Sequence, residues 1–592
     1  MNLPSATPEN FNFATDVLDR WARERPDAPG LWCVDAATGA ERRFSFRELA
    51  ALSRRAAHFF RASGIRRGDP VMVMLPRVPE WWLAMLGLIR LGAVPVPATL
   101  LLAAREVAYR LAAADIRAVV TNGDGMGKLG SFAGLRMLVG EGVEAGLNPN
   151  TEAERGARPP RAPFSAPSRK TPAAGDCGQI WNSPKAESAV REGASSDARG
   201  GRAPRASEFG LNFTAGLQAT PDDFQTEPTR ADDPALIFVT SATTGDPKMV
   251  LHTQASYGLG HRLTGDLWLD LRPEDVHWNI SDLGWGKAAW SSFYGPWHAG
   301  TCIFALDQHG KFDPVSVLKT LAHFPITTWC APPTALRLIV REDLTRWRFP
   351  HLRHCVTAGE PLNPEVLRLW HAATGLTLHE GYGQTETVVL IGHFRSLGGE
   401  VRPGSMGRAA PGFDIALLDD DLQEVPTGRE GEIAVRVKPQ RPVGLFQRYW
   451  QNDAETADRF RGDWYLTNDR AVRDADGYFW FVGRQDDVIK SSGYRIGPFE
   501  VESALLEHPA VLDVAVVGKP DEMRGQIVKA FVIPRPSFLP DEALKHELQS
   551  HCKRTAAPYK YPREVEFVTE LPKTTSGKTR RFELRRRGAA TA

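Results

Sequence analysis

The sequence predicts a large α/β N-terminal domain with a β-rich subdomain, followed by a small α+β C-terminal domain. The first supporting observation is length, because 592 residues correspond to about four units of roughly 150 residues each. The second is the repeated change between helical and strand-like apolar spacing, along 44–122 and again beyond 231. The third is a change to short strands and turns near Asp414.

The first part of the N-terminal domain (1–484) alternates helices and strands. The segment RFSFRELAALSRRAAHFFRASG predicts a helix that ends at Gly64, and a second predicted helix, PEWWLAMLGLIRLG, begins with Pro79. The runs VMVML, AVPVPA and IRAVVT predict strands. The region 148–210 is rich in Pro, Ala, Gly, Ser and Arg and lacks apolar periodicity, so we expect a disordered insert there.

Beyond Ala231 the α/β pattern resumes, with ALIFVTS, TCIFAL and TTWCA as strands and PTALRLIVRE and NPEVLRLWHAAT as helices. A β-rich subdomain is predicted at about 412–484 from FDIALLDDD, GEIAVRV and GYFWFVGR. The C-terminal domain, 485–592, is predicted as strand, helix, two strands, helix and strand. The Arg residues between 580 and 587 predict a solvated basic tail.

Composition excludes several classes of protein. The chain is 42% hydrophobic and 24% charged, which is typical of globular proteins and excludes disorder of the whole chain. Lys and Arg (72) balance Asp and Glu (71), and the net charge is +1. Because such a chain has no net field for nucleic acid or an anionic membrane, we expect neither partner, and an anionic ligand has to be bound by local groups.

The cysteines and the first residues predict the compartment. Six cysteines without a CxxC pair are typical of reduced thiols rather than of disulfides or a zinc site. The first twenty residues lack an apolar signal region and carry acidic residues, so we expect a cytoplasmic protein. The most apolar stretch, 71–104, is interrupted by Arg77, Glu80, Arg90 and Pro95, so we expect no membrane span.

Four segments carry candidate chemistry. In the first, an apolar strand leads into a loop with hydroxyls and Gly that closes on Lys248, and such a loop can bind phosphates. It lacks the spacing of a Walker A loop, and a plain polar loop is the alternative. In the second, 381–386, two glycines permit close backbone approach, an aromatic can stack on a base, and Glu386 can bind Mg²⁺. The third and fourth, 483–496 and 571–578, are compatible with charged turns.

Together and in this order, these segments resemble the adenylate-forming (AMP-binding) superfamily of acyl-CoA synthetases, nonribosomal-peptide adenylation domains and luciferases. The resemblance covers the chain except the insert. The segments VTAGEPLNPEV, GYGQTE, SSGYRIGPFEVE and APYKYPREVEFVTELPKTTSGK are most similar to medium-chain acyl-CoA synthetases. It implies an ATP- and Mg²⁺-dependent ligase that converts a medium-chain or aryl carboxylic acid to acyl-adenylate and then, with CoA, to acyl-CoA, and that releases pyrophosphate and AMP.

The resemblance also implies roles for individual residues. The catalytic residues are Lys578, Glu386, Thr385 and Lys248, with Glu386 as the Mg²⁺ ligand. The ATP-binding residues are Thr240, Ser241, Ala242, Thr243, Thr244, Gly245, Asp246, Pro247, Lys248, Gly359, Glu360, Pro361, Gly381, Tyr382, Gly383, Gln384, Thr385, Glu386, Asp469, Arg484, Arg495 and Lys578. The CoA-binding residues are Ser492, Gly493, Tyr494, Arg524, Lys553 and Tyr561.

Two further features concern motion and the substrate. The resemblance implies that the C-terminal domain is mobile and rotates about a hinge at Asp486 between the two half-reactions. Trp285 and Gly383 are expected in the acyl pocket. Acetate-activating relatives carry a Trp at the position of Gly383 that closes the pocket, so a Gly is expected to leave that volume empty for a longer acid.

Ala242 departs from the family, which usually has Gly at this position of the loop. If the position requires a positive φ, Ala costs on the order of 1 kcal/mol. Two alternatives stay open. One is an adenylating enzyme that loads a carrier protein. The other is a non-catalytic sensor on the same fold, which Ala242 and the insert favour and the retained Glu386, Asp469 and Lys578 disfavour.

Overall fold

The computed structural model describes residues 7–140, 211–240, 247–492, 494–574 and 578–590. The predicted insert at 148–210 lies outside the described residues, as do Ser241 to Asp246 of the phosphate loop and Gly493. The helices and strands below belong to the described ranges.

The central sheet is mainly parallel. Across the sheet, its described strands lie in the order Arg408–Ala409, Ile391–Gly392, Leu378–Tyr382, His354–Ala358, Thr328–Cys330, Val276–Asn279, Cys302–Asp307, Pro29–Asp35 and Glu41–Ser45. Every neighbouring pair between Leu378–Tyr382 and Pro29–Asp35 is parallel. The carboxyl ends of these strands therefore meet at one edge, which is where α/β sheets bind ligands.

Two smaller sheets complete the α/β part. One is parallel, with strands in the order Val94–Pro97, Pro70–Met74, Ala118–Thr121, Leu135–Leu138 and Leu211–Asn212. The other is antiparallel, in the order Arg448–Tyr449, Met249–Thr253 and Pro234–Val239. The second sheet matters for the site because its central strand begins directly after Lys248.

Helices cover these sheets. The described α-helices of this part are Asp19–Glu24, Phe46–Ala62, Pro79–Leu91, Ala104–Ala113, Gly123–Met126, Phe213–Ala219, Gln254–Gly258, His261–Leu263, Gly286–Ala289, Gly295–His298, Pro314–His323, Pro333–Ile339, Pro364–Thr374 and Asp453–Arg459. Segments of π-helix span Ala14–Leu18, Thr264–Trp268 and Trp290–Tyr294, and 3₁₀ turns span Leu344–Arg346 and Arg395–Leu397.

Local chemistry explains the ends of the first two predicted helices. Ser45 and Glu48 form a capping box at the start of Phe46–Ala62, which satisfies two otherwise unpaired N–H groups. Pro79 occupies the first turn of the next helix, and Gly92 ends it at φ +69°, a conformation that glycine adopts without strain. All residues of Pro79–Leu91 are buried, so this part of the apolar stretch at 71–104 forms core. No helix within the described ranges is long and apolar enough to cross a bilayer.

The β-rich subdomain is an antiparallel sheet. Its described strands lie in the order Ile415–Leu418, Glu430–Arg436, Trp464–Arg473 and Phe460–Arg461, and Phe479–Arg484 also pairs with Trp464–Arg473. The chain leaves this sheet at Arg484 and enters the C-terminal sheet at Ile489. The predicted hinge residue, Asp486, thus lies in the connection between the two sheets.

The C-terminal domain has its own sheet and core. The described strands lie in the order Tyr494–Ile496, Ile489–Ser491, Gly525–Pro534 and Val511–Asp521, and Glu564–Phe567 runs parallel to Gly525–Pro534. Helices Pro498–Leu506 and Glu542–Thr555 pack against it, and their Val501, Leu505 and Leu548 are buried with the strand residues.

The end of the chain differs from the sequence prediction. The predicted solvated basic tail forms a helix, Arg581–Ala590. Arg581 donates to both oxygens of Glu502, at 2.7 and 2.8 Å, and Arg585 donates to Asp487 at 2.6 Å. Arg586 and Arg587 are exposed, as predicted. The prediction was wrong for Arg581 and Arg585, because their carboxylate partners are about 80 to 100 residues away in the chain and the local charge run gave no sign of them.

Candidate active site

A cleft of about 1600 Å³ lies at the carboxyl edge of the central sheet, and residues of the C-terminal domain form part of its lining. The ends of two neighbouring strands, at Ala358 and Gly381, contribute to its wall. Lys578 and Glu502 reach it from the C-terminal domain. Most of the predicted ATP-binding residues that the structure describes line this cleft.

One wall is a hydrogen-bonded group around Asp469. Its Oδ2 accepts from the Tyr382 hydroxyl at 2.7 Å and from Gln384 Nε2 at 2.6 Å. Tyr465, which the sequence analysis missed, donates to Gln384 Oε1 at 2.7 Å. Burial raises the pKa of the Asp469 carboxyl, while Arg484 and Lys578 act in the opposite direction. The structure thus brings together the aromatic, amide and carboxylate that the motifs predicted.

Two buried side chains donate hydrogen bonds to the backbone carbonyl of Thr385. Its carbonyl accepts from the Tyr257 hydroxyl at 2.6 Å and from His252 Nε2 at 2.8 Å. Burial lowers the pKa of His252 to about 3, so the imidazole is neutral at pH 7. A carbonyl can only accept, so Nε2 carries the proton and Nδ1 accepts from Ser256 Oγ. His252 and Tyr257 belong to the VLHTQASYG segment after the phosphate loop, which the sequence analysis did not use.

Glu386 and Lys248 lie close to a shared aromatic side chain. The Tyr449 hydroxyl donates to Glu386 Oε1 at 2.8 Å, and the Lys248 ammonium lies 5.3 Å from the centre of the Tyr449 ring. Burial raises the pKa of Glu386, whereas Tyr449, Arg459 and Lys248 favour its charged form. Lys248 also forms an ion pair with Glu455. The part of the cleft around Tyr449 therefore contains both cations and carboxylates.

Lys287, which the sequence analysis missed, lies next to the predicted ATP-binding residues Gly359 to Pro361. Lys287 Nζ donates to the Ala358 carbonyl. Burial lowers the pKa of Lys287, and Lys578 lowers it further. Gly359 has φ +100°, a backbone conformation that favours glycine, and a Cβ there would stand 3.2 Å from Lys287 Nζ. Glu360 forms an ion pair with Arg337 at 3.4 Å.

Lys578 is exposed and lines the cleft beside Asp469 and Lys287. Its backbone is fixed by hydrogen bonds with Thr574, at 3.1 Å to Oγ1 and 2.7 Å between the backbones. Near the hinge, Arg484 forms an ion pair with Asp486 at 3.2 Å. Lys578, predicted to be catalytic, therefore lies beside residues that were predicted to bind ATP.

Arg495 does not line the cleft. It lies beside Asp420, at 3.5 Å, and Glu430, at 3.7 Å, on the β-rich subdomain. In this arrangement the guanidinium of Arg495, which was predicted to bind ATP, lies near two carboxylates that are remote in the chain. The motif alone could not have revealed this position.

The described residues predicted to bind CoA also lie outside the cleft lining, on the C-terminal domain. Arg524 Nη1 donates to Ser492 Oγ at 3.1 Å. Tyr494, which is 52% exposed, stacks on Tyr559 at 4.3 Å. The Lys553 ammonium lies 4.1 Å from the centre of the Tyr561 ring. The residues predicted for the two half-reactions thus occupy different faces of this domain.

The acyl-pocket prediction needs a correction. Trp285 and Gly383 both line the cleft, but the space in front of Gly383 is not empty. A Cβ on Gly383 would stand 2.5 Å from Cη2 of Trp290 and 2.4 Å from the Val388 carbonyl oxygen. Trp290, which the sequence analysis did not single out, is only 4% exposed and is itself a wall of the cleft.

Comparisons with known proteins support the family resemblance that the motifs indicated. A family model described as "AMP-binding enzyme" matches residues 18–450, and one described as "AMP-binding enzyme C-terminal domain" matches residues 500–578. The mouse protein acyl-coenzyme A synthetase ACSM3, mitochondrial, is 43% identical over 588 residues, which are 98% of this chain and 91% of that relative. The human protein acyl-coenzyme A synthetase ACSM4, mitochondrial, is 44% identical over 587 residues, 98% of this chain and 90% of that relative.

Two solved structures of ligases also superpose on this chain. An anthranilate CoA ligase, AuaEII, in complex with anthranoyl-AMP superposes with a TM-score of 0.80 at 27% identity and covers 98% of each chain. An acyl-CoA synthetase from Brucella canis superposes with a TM-score of 0.68 at 30% identity, over 99% of this chain and 96% of that one. The likeness extends over both domains.

Proposed function

Because this chain belongs to the AMP-binding enzyme family, we propose that it is an ATP-dependent acyl-CoA synthetase that activates a medium-chain or aryl carboxylic acid. One observation carries the assignment of the site. Lys578, from the C-terminal domain, lies at the same cleft as Asp469, Thr385 and Glu386 from the N-terminal domain. The acyl-coenzyme A synthetases among its relatives support the reaction class.

The first half-reaction joins two anions. A carboxylic acid with a pKa near that of Glu, about 4.3, is ionised at pH 7, so no general base is required. The obstacle is repulsion between the carboxylate and the α-phosphate. Lys578 and Lys248 reduce it by placing positive charge at the cleft, and the backbone of Thr385, held by Tyr257 and His252, positions the α-phosphate for in-line attack. The products are acyl-adenylate and pyrophosphate.

The site is compatible with Mg²⁺. Glu386 is a buried carboxylate at the cleft, and its Oε1 is oriented by the Tyr449 hydroxyl at 2.8 Å. Mg²⁺ is usually held by one or two carboxylates, water and substrate phosphates, so Glu386 together with the ATP phosphates would hold it. When bound, the ion would neutralise charge on the phosphate oxygens. No group of three or more His, Cys, Asp or Glu suited to a metal occurs among the residues that the structure describes.

The second half-reaction needs a different face of the C-terminal domain. The CoA thiolate attacks the acyl carbon, the new carbon–sulfur bond forms, and the bond to the phosphate oxygen breaks as AMP leaves. Tyr494 and Lys553 lie outside the cleft lining, so the domain has to rotate before they can contact CoA at the reaction centre. We propose that it turns about Asp486, in the connection between two sheets.

The substrate proposal rests on aromatic side chains that line the cleft. Trp285 and Trp290 are aromatic walls there, and Gly383 forms the backbone beside them. Aromatic side chains of this kind bury methylenes or a ring, and each buried methylene contributes about 0.8 kcal/mol. The structural relative solved with anthranoyl-AMP is an anthranilate ligase, which supports an aryl acid as well as a medium chain.

A panel of carboxylic acids, with and without CoA, tests this function. Pyrophosphate release with a C4 to C10 or aryl acid, and acyl-CoA only when CoA is added, is the expected result. Acyl transfer to a carrier protein but not to CoA would favour the carrier-loading alternative, and no release with any acid would favour the sensor.

We propose a cytoplasmic location from the sequence, although the relatives carry the word mitochondrial in their names. Fractionation of the host cell tests that.

A further inference from the structure

Glu455 holds two cations at one end of the cleft. Its Oε1 accepts from Lys248 Nζ and from Arg459, at 3.2 Å to Nε and 3.1 Å to Nη2. The side chains of Lys248, Glu455 and Arg459 are 33%, 25% and 18% exposed, and all three line the cleft. We call these three residues the Glu455 network. The segment that carries Glu455 and Arg459 belongs to none of the motifs in the sequence.

Local structure explains why one carboxylate can serve both cations. Glu455 and Arg459 are four residues apart on the helix Asp453–Arg459, so their side chains are neighbours on one face. The Asn452 side chain caps this helix by accepting from the Glu455 N–H at 3.1 Å. Lys248 comes from the start of a strand in a different sheet. The helix therefore presents a fixed carboxylate to a lysine that directly follows the phosphate loop.

Electrostatics connects the network with Glu386. Arg459 and Lys248 both favour the charged form of Glu386. Burial alone would raise the pKa of the Glu455 carboxyl, but Lys248 and Arg459 outweigh it and hold that pKa below its ordinary value. Glu455 is thus ionised at pH 7. Two carboxyl groups, those of Glu455 and Glu386, thus lie close to the cations Lys248 and Arg459 at this end of the cleft.

We infer that Arg459 binds the phosphates of ATP that leave as pyrophosphate, and that Glu455 competes with those phosphates for Lys248 and Arg459. This inference rests on the proposed function, which supplies the pyrophosphate. Arg459 is a guanidinium at the cleft that can donate to two phosphate oxygens at once. The negative charge of Glu455 lies next to both cations, so it reduces the attraction that they exert on a phosphate. Glu455 is therefore a positioning residue that keeps both cations in place and weakens the hold on pyrophosphate.

Equilibrium binding of inorganic pyrophosphate to the full-length enzyme, measured by calorimetry without a carboxylic acid, tests this. Glu455→Gln keeps the shape but removes the competing charge, so we expect pyrophosphate to bind about fivefold tighter. Arg459→Gln is expected to weaken it about tenfold. AMP, which lacks the two outer phosphates, should bind both variants within about twofold of the wild type.

Asp453→Asn is the matched control, because it removes one negative charge from an exposed position on the same helix. Pyrophosphate affinity in Asp453→Asn should stay within about twofold of the wild type, as expected for a screened surface charge. A second variant, Arg459→Lys, keeps the charge but loses the paired donors and should give an intermediate affinity. Melting curves identify any variant that does not fold.

The inference is overturned if the wild type binds no pyrophosphate, if Glu455→Gln and Arg459→Gln bind it as the wild type does, or if Asp453→Asn changes affinity as much as Glu455→Gln. The steady-state readout is product inhibition, in which pyrophosphate should inhibit Glu455→Gln more strongly than the wild type while the KM for the acid is unchanged. A wild type that forms acyl-adenylate but shows none of these differences contradicts only this inference. A wild type that forms no acyl-adenylate contradicts the proposed function.

Discussion

The indole of Trp290 occupies the space that a side chain on Gly383 would need. A Cβ on Gly383 would stand 2.5 Å from Cη2 of Trp290 and 2.4 Å from the backbone oxygen of Val388. The glycine is therefore required by close packing, and the size of the pocket on this side is set by Trp290. The idea that Gly383 leaves an empty volume for a longer acid was wrong.

Gly383→Ala is consequently expected to disturb the whole segment rather than to shorten the pocket. The added methyl has to displace backbone, which costs about 1–3 kcal/mol. The melting temperature and adenylate formation with every acid should fall together. Gly286→Ala is the control, because its Cβ would meet Thr385 Oγ1 at an ordinary 3.4 Å. A Gly383→Ala enzyme with unchanged stability and activity would contradict this packing argument.

Trp290→Leu is expected to shift preference towards bulkier or longer acids. Each additional methylene that becomes buried contributes about 0.8 kcal/mol, or roughly fourfold in kcat/KM. The measurement is the ratio of kcat/KM for a long and a short acid in one enzyme preparation, since loss of a buried Trp also lowers stability. Trp297→Leu removes a buried indole that does not line the cleft and should leave the ratio unchanged. An unchanged ratio in Trp290→Leu would show that the acid does not contact Trp290.

Lys578→Ala is expected to abolish adenylate formation and to spare thioester formation from supplied acyl-adenylate. The reason is that Lys578 lies at the cleft in this arrangement, whereas Tyr494 and Lys553 lie outside it. The two half-reactions are measured separately, with Lys573→Ala as a control for loss of a nearby charge, because Lys573 forms an ion pair with Asp513. Equal loss in both half-reactions would contradict the assignment of two arrangements.

Glu380 makes stability depend on pH. Burial raises the pKa of its carboxyl from 4.5 to about 8, so the folded protein keeps a proton that the unfolded chain has already lost. The free energy of unfolding should therefore fall as pH rises from about 4.5 to about 8, by at most about 1.4 kcal/mol per pH unit. Glu380→Gln, which can still accept from the Leu362 N–H, should remove this dependence. Denaturant unfolding at pH 5 to 8 measures it, and the exposed Glu507→Gln should behave as the wild type.

Deletion of 150–206 should leave activity and melting temperature nearly unchanged. The sequence there is rich in Pro, Ser and Arg and has little apolar side chain to bury. Its flanks are already neighbours, since strand residue Leu138 pairs with Asn212. Thirteen residues would remain between the flanks, and at about 3.3 Å per residue a chain of that length is long enough for the connection. A soluble deletion variant that loses most of its activity would give the insert a function.

The alternation of helices and strands, the end of the first helix near Gly64, the start of the second at Pro79 and the four motifs were predictable from the sequence, because each depends on residues that are close together in the chain. The motifs also predicted that Tyr382, Gln384 and Asp469 belong to one site. This succeeded through resemblance, since 87 residues separate Tyr382 from Asp469. Local spacing alone would not have joined them.

The tertiary structure alone decided which side chains meet across distant segments. Three groups of contacts depend on how separate sheets and helices pack. They are Tyr257 and His252 with Thr385, Trp290 with Gly383, and Glu455 with Lys248 and Arg459. The same applies to the terminal helix, whose Arg581 and Arg585 pair with remote carboxylates, and to Arg495, which lies outside the cleft. A sequence pattern reports periodicity and local turn chemistry. Contacts between residues far apart in the chain form only after the elements have packed, so their partners, charges and available space are properties of the folded molecule.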